Sequence, residues 1–237
     1  DDEINAIRNV ISNEIKVESM LDRSAASISK VSYSAIKNGA LNDYQMDSVK
    51  TALLDIESSG HKLIISGNDA DMGGSGIASV ESRIIKHKPD IVFIDGAYLM
   101  DDDMGGRDKY IKAGNIARGL KKLGKRRNIP IVITWQLNRK GASDTADTEN
   151  IGLSDDLGQD ASVVLALFQT EDMKERQQML IRIIKSRESG KFEINAKWDF
   201  ENMDFSEYPE ELFLDDESDI LEATSRDSIN SRDESLF

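Results

Sequence analysis

Three stretches of this sequence run apolar and then stop on a polar side chain able to do chemistry. Asp90-Ile91-Val92-Phe93-Ile94-Asp95-Gly96 is an apolar run closed by an acid and a glycine. Arg8-Asn9-Val10-Ile11-Ser12-Asn13-Glu14 ends on Glu14, and Ile131-Val132-Ile133-Thr134-Trp135-Gln136 ends on Gln136. The β-branched run before Asp95 reads as a strand buried on both faces, as in a parallel sheet. The carboxyl ends of parallel strands lie along one edge, where open α/β sheets bind ligands. One carboxylate there can orient a water, a second can hold a hydrated Mg²⁺ against a nucleoside triphosphate, and an amide can register the terminal phosphate. Bland readings stand beside these. Asp95 can simply cap or turn the chain, and Gln136 can make a strand-end hydrogen bond.

The elements that must position these groups alternate. Helical patterns cover residues 17–29, 32–37 and 43–58, the last with Asn42 or Asp43 as its N-cap. A strand at 62–66 and a glycine-containing loop at 67–76 precede a helix at 79–87 and the Asp95 strand. The glycines of that loop lack the lysine and hydroxyl of a G-x-x-x-x-G-K-S/T phosphate cradle, so it reads as a turn. Asp101, Asp102 and Asp103 stand together in the next loop without the ligand spacing of a calcium site, which favours a solvated loop over a metal cluster. A long amphipathic helix at 108–127 carries bases near its end, where the helix dipole favours them. After the Gln136 strand, residues 138–156 form a polar loop without periodicity, of the kind that ordered domains keep for binding. Buried-type strands at 161–168 and 179–185 follow, and 191–200 alternates so as to close a hairpin. Strands alternating with helices imply an α/β fold with a mostly parallel central sheet flanked by helices.

Charge narrows the partners. The net charge of −14 argues against nucleic acid until its distribution is read. From Asp199 onward there are 14 acids and 2 arginines, so the body of the chain is nearly neutral and leaves nucleic-acid binding open. No cysteine occurs, which excludes disulfides, thiolate chemistry and cysteine-based zinc sites. His61 and His87 are isolated at polar positions and read as surface residues. No apolar run reaches membrane-span length and no signal peptide opens the sequence, so the expected location is cytoplasmic. Residues 206–237 are acidic, serine-rich and poor in core formers, an expected disordered tail behind a domain at 1–205.

From about Val10 to Phe200 the chain resembles the RecA-like, P-loop NTPase motor domain of DnaB-type replicative helicases, in a phage-like version. Ile131-Val132-Ile133-Thr134-Trp135-Gln136-Leu137-Asn138-Arg139 resembles the family's strand ending Q-L-N-R, with Leu120-Lys121 and Pro130 ahead of it as in the family. Ile94-Asp95-Gly96-Ala97-Tyr98-Leu99-Met100 is similar to I-D-Y-L-x-L-M, and Gly158-Gln159-Asp160-Ala161-Ser162-Val163-Val164 to Q-D-A-D-x-V. Lys185-Ser186-Arg187-Glu188-Ser189-Gly190 resembles the K-N-R-x-G turn, and Ser12-Asn13-Glu14-Ile15 resembles S-L-E-M. Lys37-Asn38-Gly39-Ala40-Leu41 falls where the family has R-x-G-x-L.

The resemblance implies roles. Glu14 would be the general base that orients water, Asp95 would hold Mg²⁺ through water, and Gln136 would sense the γ-phosphate of ATP. Arg23 would contact the phosphates within its own subunit. Lys185 and Arg187 would reach the neighbouring subunit's nucleotide, Arg187 as an arginine finger, which implies a homo-hexamer around single-stranded DNA. Arg139, Lys140, Asp156 and Gly158 would touch that DNA. The acidic tail could dock a primase, a helicase loader or a single-strand-binding protein. Three departures qualify this. No G-x-x-x-x-G-K-S/T occurs, and the family places it just before Glu14, so the sequence is expected to be a fragment. Asp155-Asp156 stands where the family has an Arg-Glu-containing DNA loop, and no N-terminal collar domain is present. A recombination or signalling ATPase of RecA or KaiC type, and a non-hydrolysing RecA-fold subunit, remain as alternatives.

Overall fold

The structure is a computed structural model that describes residues 7–67, 74–136, 158, 160–186, 190 and 192–209. The expected loop at 138–156 and the acidic tail from residue 210 lie outside the described residues, as do Arg187, Arg139, Lys140 and Asp156.

β1 (Ile7–Ser12) is the second strand of a four-stranded sheet ordered β2-β1-β3-β4, with β2 (Lys62–Ser66), β3 (Ile91–Asp95) and β4 (Ile131–Ile133). Every pairing in it is parallel. α1 (Val17–Ser29), α2 (Tyr33–Lys37) and α3 (Asp43–Ser58) separate β1 from β2. Asn42 starts α3 with a full capping box against Gln45. α4 (Ile77–His87) leads to β3, and α5 (Lys109–Arg127) leads to β4. α5 begins on the Asp108 carboxylate, which accepts from the Tyr110 amide, and ends on Asn128 in the left-handed region before Pro130 stops it.

The core is what α4 and α5 bury against one face of this sheet. Ile11, Val92 and Ile94 from the strands meet Val80 and Ile84 of α4 and Ile116, Leu120 and Leu123 of α5. Parallel register places Asn9 beside Ile64 and Val92, and Ile11 beside Ile94, on that face. On the other face Arg8, Leu63 and Val132 are exposed and Phe93 is half-buried. The expectation of strands buried on both faces therefore holds for one face among the described residues.

The remaining strands form a second sheet. β5 (Val163–Phe168), β6 (Gln178–Ser186) and β7 (Glu193–Lys197) are antiparallel in that order, with α6 (Glu171–Glu175) between β5 and β6. The buried-type reading of β5 is corrected here. Its Val163, Leu165 and Leu167 are each about half exposed, while Ala166 is buried, because β5 is an edge strand with one face uncovered by described residues. A bulge between Val164 and Leu165 skips Ile184 on β6. β7 pairs with β6 as the alternation at 191–200 predicts. Residues 206–208 stay on its edge, through Ser206 O to the Lys197 amide and the Tyr208 amide to Asn195 O. Glu201 then returns to α2, accepting from the hydroxyls of Ser32 and Ser34 while its carbonyl takes the Tyr33 amide.

Candidate functional site

The carboxyl edge of the parallel sheet gathers the chemistry. Ser12 pairs with Asp95 across β1 and β3, and Ile94 pairs with Ile133 across β3 and β4. The next residues along, Asp95 and Thr134, therefore stand side by side. One Asp95 carboxylate oxygen accepts from Ser12 Oγ at 3.0 Å, and the other accepts from Thr134 Oγ1 at 2.9 Å. Behind them the Ile15 amide donates to Ser12 Oγ at 3.0 Å and the Gly96 amide to Thr134 Oγ1 at 2.8 Å. Asn13 locks the turn, its amide donating to Asp95 O at 3.0 Å and its Nδ2 to Gly96 O at 3.2 Å.

Glu14 lies against this turn. Gly96 has φ of +70°, and a Cβ built on it would sit 2.7 Å from Glu14 Cγ and 3.3 Å from Glu14 Oε1. Glu14 and the residue after Asp95 are thus in contact. Glu14 is exposed, two residues past the end of β1. Gln136 is exposed three residues past β4. Between Thr134 and Gln136, Trp135 turns inward, packing on the core and edge-on to Tyr98 at 6.2 Å, so its two neighbours face out. Sequence reasoning named Glu14, Asp95 and Gln136 but passed over Ser12, Thr134 and Gly96. Their signal was there: a hydroxyl residue stands two positions before Glu14 and again before Gln136.

Other named residues fall elsewhere. Arg23 is half-buried on α1, its guanidinium 5.9 Å from the Tyr33 ring centre. Lys185, at the end of β6, donates through Nζ to the Gly158 carbonyl at 2.5 Å. That contact joins the strand leading to Arg187 with the residue that ends the candidate DNA loop. Lys121 of α5 holds the same short segment from the other side, through Ser162 Oγ.

The three aspartates at 101–103 work on their own loops. Asp101 accepts from Ser75 Oγ at 2.6 Å, and Asp103 accepts from the Ala78 amide at the start of α4. Asp102 accepts from the Gly106 and Met104 amides and from Asn115 Nδ2. Burial pushes the Asp102 carboxyl up, but the Asn115 amide, with the Gly106 and Met104 amides, holds it below the usual range. No group of three or more acids, histidines or cysteines able to cage a metal occurs among the described residues.

Residues 3–207 match the DnaB-like helicase C-terminal domain. The chain belongs to that family. The parallel sheet with flanking helices is its RecA-like fold. The solved ATPase domain of a phage helicase superposes with a TM-score of 0.73 at 17% identity, covering 86% of this chain and 75% of that one. A DnaB-like replicative helicase, described with its interactions with primase, superposes with a TM-score of 0.71 at 17% identity over 84% of this chain. This chain spans 50% of the length of that helicase. No curated protein matches the sequence.

The edge suits Mg²⁺, which takes one or two carboxylates and substrate phosphates rather than an all-protein cage. Asp95 with its two hydroxyl neighbours, beside Glu14, is an oxygen-only donor set at an exposed strand end.

Proposed function

We propose that this DnaB-like domain is the ATP-driven motor of a replicative DNA helicase, a hexameric ring that moves along single-stranded DNA. The observation that carries the reading is the meeting of Glu14 with the Asp95–Gly96 turn at the ends of neighbouring parallel strands. In phosphoryl transfer the protein's work is positioning and charge stabilisation. Asp95 would hold Mg²⁺ through water, and the cation when bound neutralises charge on the phosphate oxygens. Glu14 would orient the attacking water and accept its proton. Gln136, facing out beyond Trp135, would register the γ-phosphate, and Arg23 would contact phosphate within the subunit. The triphosphate also needs a backbone cradle and lysine, a motif these 237 residues do not contain.

Arg187 would act as the arginine finger on the neighbouring subunit's nucleotide, with Lys185 beside it. To reach across, Lys185 must exchange its bond to Gly158. Arg139, Lys140, Asp156 and Gly158 would line the DNA path. A primase partner is favoured by the family, with a helicase loader or single-strand-binding protein as further candidates for the acidic tail. The setting would be the cytoplasm; among the described residues no helix is long and apolar enough to cross a membrane.

The test is ATP hydrolysis by the full-length protein with and without single-stranded DNA, and strand displacement on a forked substrate. DNA-stimulated hydrolysis and unwinding support the reading. Strand exchange without unwinding would move the protein to the recombination ATPases. Nucleotide binding without hydrolysis would leave a RecA-fold subunit that lends Arg187 to a partner.

A further inference from the structure

We infer that Thr134 is a positioning residue whose hydroxyl fixes the Asp95 carboxylate and couples it to the strand that ends at Gln136. The inference rests on the nucleotide reading above and concerns how its metal anchor is held. An ionised carboxylate only accepts hydrogen bonds, so a hydroxyl beside it must donate. Thr134 Oγ1 accepts from the Gly96 amide at 2.8 Å and donates to Asp95 Oδ1 at 2.9 Å. Ser12 repeats the arrangement on the other side, accepting from the Ile15 amide and donating to Asp95 Oδ2. Each hydroxyl is thereby held in one orientation by a backbone N–H, and each Asp95 oxygen keeps a second lone pair for a ligand.

The two hydroxyls differ in what they can transmit. Ser12 is 2% exposed and sits inside the β1–β3 ladder, fixed by the fold. Thr134 is exposed and lies one residue past the end of β4. Its amide still bonds Ile94 O and its carbonyl accepts from the Ala97 amide, so it is tied to the turn on which Asp95 stands. Two residues on, Gln136 faces out on the same side of the strand end. A shift of Gln136 toward a phosphate therefore reaches Asp95 through Thr134, while Ser12 holds the other oxygen still. Neither hydroxyl touches substrate in this scheme; each acts through Asp95.

The test uses the full-length protein, a fluorescent ATP analogue and Mg²⁺ titration, with Thr134→Val and Thr134→Ser. Loss of a partner that orients a metal ligand costs 10–100-fold in metal affinity. Thr134→Val is expected to raise the Mg²⁺ concentration for half-maximal nucleotide binding by about tenfold or more. Nucleotide binding in EDTA and the melting temperature should stay at their wild-type values, and Thr134→Ser should restore Mg²⁺ dependence. An unchanged Mg²⁺ requirement in Thr134→Val would overturn the inference, as would a Thr134→Ser variant equally impaired. Wild-type protein that binds no Mg²⁺–nucleotide would overturn the nucleotide reading along with it. Normal wild-type binding with an unaffected Thr134→Val would remove this inference alone.

Discussion

Glu14 packs directly over Gly96: a methyl group on that glycine would fall 2.7 Å from Glu14 Cγ. The glycine also holds φ of +70°, where a Cβ meets its own carbonyl oxygen. Both facts act on Gly96→Ala. The backbone term costs roughly 1–2 kcal/mol, readable as a lower denaturant midpoint. The steric term must displace Glu14, and a misplaced catalytic group costs on the order of 10²-fold in rate. Gly96→Ala is therefore expected to lose hydrolysis while still binding Mg²⁺–nucleotide through Asp95. Hydrolysis at the wild-type rate would remove Glu14 from the mechanism.

Arg187 follows β6, which ends at Ser186 after its bulge. An arginine finger supplied in trans contributes about 10³–10⁵ in rate. Arg187→Ala should abolish measurable hydrolysis without changing nucleotide affinity or ring size. Mixing it with wild-type subunits distinguishes the route. A finger in trans makes activity fall faster than the wild-type fraction, whereas a strictly linear fall would place Arg187 in its own subunit's site.

The parallel strands were readable because each apolar run ends on a turn residue, and a run of four or five apolar residues fits few structures but a buried strand. β4 illustrates the reach of that signal and its limit. Its apolar residues gave the strand, and Trp135 inside the run hid the outward turn of Thr134 and Gln136. β5 misled for a related reason. Val163, Leu165 and Leu167 are as apolar as the β3 residues, and apolarity alone does not reveal which face finds a cover. The Ser12–Asp95–Thr134 bracket was out of reach because it spans three strands, and only parallel register brings those positions level. The aspartates at 101–103 were equally opaque, since their partners Ser75, Ala78 and Asn115 come from other loops and helices.

Asn9 is fully buried in the middle of β1, and neither its Nδ2 nor its Oδ1 has a partner among the described residues. Its neighbours in the ladder are Ile64 and Val92. A buried amide without partners costs about 1–3 kcal/mol, and an apolar side chain of like shape recovers it. Asn9→Leu should raise the urea midpoint with an unchanged m-value, the sign of a gain in stability rather than a change in compactness. A lower midpoint would show that Asn9 has a partner in solution.

Acid should loosen the C-terminal hairpin, and Asp204 sets where. The Ser206 hydroxyl and amide, then Lys197, hold the Asp204 carboxyl down from 3.8 to about 2. Its Oδ2 lies 3.1 Å from Lys197 Nζ, and its Oδ1 accepts from the Ser206 amide at 3.1 Å. A depressed carboxyl binds fewer protons folded than unfolded, so its stabilising effect is complete above pH 3.8 and is lost as pH falls toward 2. The site is fully solvent-exposed, so screening keeps the effect small. Glu81, Asp102, Asp199 and Glu201 are shifted in the same direction, which gives the whole domain an acid limb of one sign. Asp204→Asn should be slightly less stable than wild type at pH 6, and the two melting curves should converge as pH drops below 3.8. High salt should narrow the gap at pH 6 by screening the Lys197 contribution while sparing the Ser206 bonds. A gap that persists unchanged to pH 2 would mean that Asp204 stabilises the hairpin by shape alone.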